Sequence, residues 1–99
     1  MSLIMRTAAP ESNPAGTKRW FLGDLNNGRQ KVFLYESTSV SRQQTGCARY
    51  SVRTYDHRGE LLTQQCFRHR RNVDRHICRR FHVSSVELGE EQPALLKAA

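Results

Sequence analysis

The segment CFRHRRNVDRHICRRFH, residues 66–82, decides how this chain folds. Read with helical spacing, Val73, Ile77 and Phe81 form an i, i+4, i+8 apolar stripe, while Arg71, Arg75 and Arg79 line a different face. Asn72 would cap such a helix, and Asp74 would sit in its positive first turn. Read as a strand, Ile77, Phe81 and Val83 share a face, but Arg79 intrudes on it. Beyond the segment, His82 to Leu88 favours a strand, because Val83 and Val86 are β-branched with two serines between them. The reading that reconciles these signals is a loop or short helical piece near 70–75, then a long strand from about His76 to Leu88. A helix over 72–82 is the alternative left open.

Upstream, the chain reads as strands. Arg19 to Leu22 is aromatic and aliphatic, and Lys31 to Ser37 (KVFLYES) is rich in strand formers. Asn26-Asn27-Gly28 between them marks a hairpin turn, since Asn and Gly tolerate positive φ. Ser37 to Gln44 is a polar loop. From Cys47 to Tyr55, apolar Ala48, Tyr50 and Val52 alternate with Arg49, Ser51 and Arg53, a period-two pattern for a half-buried strand. Asp56 to Gly59 is the next turn, and Glu60 to Arg68 the return strand.

These elements give a fold class that is mainly β. It is a small antiparallel meander or partly closed barrel of about five strands, with one short helix near 70–82 under the second reading. Residues 18–88 form a single β-rich domain, holding 17 of the 21 Leu, Ile, Val and Phe residues. Residues 1–17, with Pro10, Pro14 and Gly16, read as a flexible arm. Residues 89–99 read as a flexible tail, in which Ala94 to Ala99 is too short for a stable helix. An open sheet leaves edges that a homodimer would cover.

The same 66–82 segment concentrates the charge. It holds six arginines against one acid, giving +5 of the whole chain's +7. Thirteen of the sixteen basic residues are Arg. Codon bias accounts for Arg over Lys across a chain, but not for clustering. An arginine cluster suits an anionic partner, because the guanidinium fork matches phosphate and carboxylate. The expected partner is nucleic acid, contacted at its phosphates by Arg68, Arg70, Arg71, Arg75, Arg79 and Arg80, with an acidic protein surface as the competing partner. Trp20, Phe33, Tyr35, Tyr50, Tyr55 and Phe67 are available to stack bases, although a small core claims most of them. The sequence holds no RNP-like aromatic motif, GxxG loop or helix-turn-helix pattern.

Cys66-x2-His69 and Cys78-x3-His82 have ligand types and short intervals that zinc uses. Neither half-site has a glycine-rich knuckle, and the surrounding arginines repel a cation, so the expectation is no metal and no other cofactor. Cys66 and Cys78 could instead close a disulfide in an exported protein. A Cys–His dyad lacks a third group to orient the base and an oxyanion element, so no enzymatic activity is expected. No run approaches the roughly 18 apolar residues of a membrane span. As written the chain reads as cytoplasmic, and as extracytoplasmic if a signal peptide preceded it.

Trp20-Phe21-Leu22-Gly23, the hairpin after it, Ser39-Val40-Ser41-Arg42, the alternating strand and Cys66 with its following arginines together resemble the surface-adhesin E-like domains of Gram-negative bacteria. The likeness covers about half of the chain. It implies an exported β domain that contacts other proteins, stabilised by a disulfide and without a nucleic-acid role.

Overall fold

The structure is a computed structural model that describes residues 3–13, 16–38, 42 and 48–90. Five strands form one antiparallel sheet in the order β2-β3-β4-β5-β6. They are β2 (Glu11–Ser12), β3 (Thr17–Leu25), β4 (Gln30–Ser37), β5 (Tyr50–Asp56) and β6 (Leu61–Phe67). A helix, α1 (Arg70–Phe81), follows β6. β1 (Ile4–Arg6) and β7 (Ser85–Glu87) make a separate parallel pair. The sheet is an open meander and does not close into a barrel.

The expected hairpin is β3–β4. Its turn holds Asn26, Asn27 and Gly28 at φ 52°, 58° and 85°, the left-handed region these residues enter most readily. The second hairpin, β5–β6, turns at His57–Gly59, with the Asp56 carboxylate accepting from the backbone N–H groups of Arg58 and Glu60. Strand alternation sends Trp20, Leu22, Val32, Leu34, Tyr50 and Val52 to one face, where all are buried.

The long strand expected from His76 to Leu88 does not form. That stretch is the body of α1 followed by the short β7, and the fifth strand of the sheet is β2 instead. The reason lies in the arginines. As a helix, α1 buries Val73 and Ile77 at 0% and 1% exposure and keeps Arg71, Arg75 and Arg79 in solvent. A strand would have turned Arg79 inward beside Ile77, and an unpaired buried charge is far costlier than the roughly 1.5–3 kcal/mol gained per buried aliphatic side chain.

Two further expectations are corrected. The helix starts at Arg70, before Asn72, so its cap is His69, which is extended and makes no side-chain capping bond. Asp74 consequently lies beyond the first turn, which contains no acid. The 1–17 segment, expected as an arm, carries β1 and β2. β1 pairs with β7, and Gly89 bonds to Thr7 through its N–H and to the Trp20 indole through its carbonyl. Most of the 37–44 loop, Cys47 and residues 91–99 lie outside the described residues.

A bulge in β3 shapes the core beneath α1. Phe21 pairs with Phe33 but Gly23 pairs with Val32, leaving Leu22 as the extra residue. Gly23, at φ 148°, lies under the Phe81 ring, which would stand 3.2 Å from an added Cβ. Phe67 of β6 meets His76 of α1, with ring centroids 5.2 Å apart.

Candidate nucleic-acid interface

The six arginines marked by the sequence separate into three groups. Arg71, Arg75 and Arg79 are exposed and follow one another at i, i+4, i+8, so they form a single row along the outer face of α1. At 1.5 Å rise per residue the row spans about 12 Å. None of the three makes an ion pair among the described residues. Arg68 is exposed just ahead of the helix. Arg70 and Arg80 are half-buried: Arg70 donates through Nε to Asp74 at 2.8 Å, and Arg80 falls three residues after Ile77, toward the packed side.

The helix dipole separates structural from unexplained charge. Arg79 and Arg80 in the last turn face the negative end and stabilise α1. Arg70 and Arg71 sit at the positive end, where like charge disfavours the helix. Arg70 is offset by Asp74, but Arg71 has no such compensation.

His76 shares the helix with these arginines. Burial, then Arg80 and Arg79, push its pKa below the ordinary histidine value, and its Nε2 is buried without a hydrogen-bond partner. The ring is therefore a packing group against Phe67.

The metal-type residues are not gathered. His69 and His82 flank opposite ends of α1, whose 12 residues span about 18 Å. Cys66 pairs across the ladder with Ser51, on the face of the sheet away from α1, while Cys78 is on α1 itself. Both are free thiols on opposite sides of the sheet, out of reach of each other. Among the described residues no group of three or more His, Cys, Asp or Glu side chains could hold an ion. Neither described cysteine bonds to a histidine; the Cys66 thiol meets the Gln64 amide at 3.7 Å.

The aromatics divide by strand parity. Trp20 and Tyr50 are in the core at 7% and 6% exposure, and Phe67 is packed against it. Burial, followed by Glu36, raises the Tyr50 pKa. Phe33, Tyr35 and Tyr55 stand on the outer face of the sheet with Phe21. Their rings are not coplanar: Phe21 and Phe33 lie 54° apart, Phe33 and Tyr55 75° apart. The Tyr35 and Tyr55 hydroxyls are 3.1 Å from each other, and burial, then Tyr55, raises the Tyr35 pKa.

Two arginines on this outer face were missed in the sequence. The Arg19 guanidinium lies 4.8 Å over the Phe33 ring, and that of Arg53 lies 4.2 Å over Tyr35. Arg19 is also bonded to Glu11. Among the described residues Arg53 has no acid partner, and its Nε is buried without a hydrogen bond. The signal available was the alternation itself, which places Arg19 and Arg53 in register with Tyr35 and Phe33 on neighbouring strands.

No protein-family model, no curated protein and no solved structure matches this chain, so the likeness to surface-adhesin E-like domains gains no support from them.

Proposed function

We propose that this protein binds nucleic-acid phosphates through the exposed face of α1, without strong sequence specificity. Arg71, Arg75 and Arg79 make the principal contacts, Arg68 extends the row, and Arg70 and Arg80 add positive potential from its flanks. The observation that carries the reading is the row itself: three exposed, unpaired guanidiniums on one helical face, with Arg71 at the end of the helix where folding gains nothing from it. The protein acts by binding, with no catalytic step. The separation of Cys66 from Cys78, the two cysteines among the described residues, fits a reducing compartment such as the cytoplasm.

A salt titration of oligonucleotide affinity tests the reading. Each neutralised phosphate contributes roughly −0.7 to −0.9 to the slope of log K against log salt. The Arg71/Arg75/Arg79 triple alanine variant is expected to flatten that slope by about 2–3. Salt-insensitive binding, or no binding at low salt, would overturn the proposal.

A further inference from the structure

Among the described residues the sheet is covered by a helix, α1, on one side only. Its other side carries Phe21, Phe33, Tyr35 and Tyr55 together with Arg19, Lys31 and Arg53. Phe21 is 48% exposed, and Leu61 and Leu62 at the β6 end of the sheet are 50% and 46% exposed. A hollow of about 340 Å³ opens there, lined by Arg19, Lys31, Phe33, Tyr35, Tyr55, His57 and Gly59, with Asp56 as its one acid. An apolar sheet face of this kind is usually covered by something.

The charges narrow what covers it. A second copy packed face to face would bring Arg19, Lys31 and Arg53 against their own kind. An apolar partner would leave the unpaired Arg53 guanidinium buried without an anion. The occupant that fits is anionic and also presents flat apolar surface.

The guanidiniums show where such flat groups would lie. The Arg53 guanidinium carbon lies 4.2 Å from the centre of the Tyr35 ring and that of Arg19 lies 4.8 Å from the centre of the Phe33 ring, so each cation is seated over a ring. The side of each guanidinium turned away from its ring is where a further π-system would stack. Held in place by the rings, these arginines lose little side-chain freedom on binding. The tilted rings give no flat platform by themselves.

We propose that the outer sheet face is a second binding site, separate from the α1 row, that takes unpaired bases of a single-stranded nucleic acid. Bases stack on the guanidiniums of Arg53 and Arg19, forming ring–guanidinium–base sandwiches, and Arg53 and Lys31 neutralise the adjoining phosphates, Arg19 being already paired with Glu11. A duplex, whose bases are already stacked, cannot use this face. The site rests on its own residues and stands or falls apart from the helix reading, because the two surfaces lie on opposite sides of the sheet.

The test uses three probes of equal length: a single-stranded oligothymidylate, a duplex, and an abasic strand with the same phosphates. Arg53→Lys keeps the charge and removes the plane. It is expected to weaken oligothymidylate binding about five-fold or more, the lower bound for one lost base stack, while duplex binding stays within two-fold. Arg19→Lys, on the neighbouring strand, repeats the measurement should Arg53→Lys disturb the fold, which circular dichroism reports. The abasic strand, which loses both stacks, is expected to bind wild type more weakly than oligothymidylate binds Arg53→Lys. The helix triple alanine variant instead weakens all three probes alike. If only that variant has an effect, or if the abasic strand binds wild type as tightly as oligothymidylate does, the sheet site is refuted and the helix reading stands. If only the lysine variants have an effect, the helix reading fails and the sheet site stands. A polyglutamate peptide that binds where no oligonucleotide does would assign the face to an acidic protein and overturn the proposal.

Discussion

The indole N–H of Trp20 donates to the backbone carbonyl of Gly89 at 2.9 Å, tying the core of β3 to a residue 69 positions later. Gly89 in turn donates its N–H to the Thr7 hydroxyl at 2.9 Å. One residue thus joins the meander to the β1–β7 pair.

Gly89 has no room for a side chain. A Cβ there would run into the carbonyl oxygen of Ala8, a backbone atom that cannot swing aside. Gly89→Ala is expected to cost about 1–3 kcal/mol and to shift Trp20 emission to the red as water reaches the indole. Urea unfolding followed by tryptophan fluorescence measures both, and an unchanged midpoint would count against the clasp.

Thr54 is 1% exposed, pairs with Val32 across the ladder, and leaves its hydroxyl without a hydrogen-bond partner. A buried unsatisfied hydroxyl costs on the order of 1–3 kcal/mol. Thr54→Val keeps the shape and removes the group, so stability is expected to rise by about 1 kcal/mol. Urea unfolding is again the measurement, and a fall in stability would show that the hydroxyl is satisfied in solution.

His76 makes stability depend on pH. Its folded-state pKa lies below the ordinary 6.5, so the fold favours the neutral ring. Between the folded and unfolded values the unfolded chain binds more protons, so stability rises with pH across that window. It is complete above about pH 6.5 and falls as the pH drops below it. Unfolding midpoints at about pH 7.5 and about pH 5.5, either side of the histidine range, are expected to differ less in His76→Gln than in wild type. Asp56, held below its usual 3.8 first by the Glu60 backbone N–H and then by that of Arg58, acts only in more acid solution.

Asp74 restrains Arg70 through a partly exposed i, i+4 pair. Such pairs contribute only about 0.3–0.5 kcal/mol. Asp74→Asn is therefore expected to leave stability within about 0.5 kcal/mol while releasing Arg70 and adding one positive charge beside the row. Oligonucleotide binding at low salt should tighten by a few-fold. Weaker binding would mean that Asp74 positions Arg70 for its contact.

The sheet was legible in the sequence where local chemistry suffices. Asn26-Asn27-Gly28 marks its turn because few other residues accept three successive positive φ values. The alternation through Tyr50 and Val52 marks a buried face because the strand period is two. The 70–82 segment was ambiguous for a physical reason: Ile77, Phe81 and the arginines satisfy part of either period, and the choice depends on a core that only the assembled sheet supplies. β1 and β2 were hidden because their three and two residues carry no periodicity, and their partners lie elsewhere in the chain. The arginine row was visible as composition. Its division into Arg71, Arg75 and Arg79 against Arg70 and Arg80 required the helix to be placed.

The β1–β7 pair has a consequence for the order of folding. Its strands are bridged by an ion pair, Arg6 to Glu87, between residues 81 apart. The two meander hairpins close over short turns, and α1 follows β6 directly, so these elements can assemble early. The parallel pair must close nearly the whole chain, at a loop entropy that local contacts do not meet. During synthesis Ile4–Arg6 leaves the ribosome long before Ser85–Glu87, with Met5, which packs on the core in the folded chain, uncovered in the interval. Its docking is expected to come last, and until it occurs the indole of Trp20 lacks the Gly89 carbonyl.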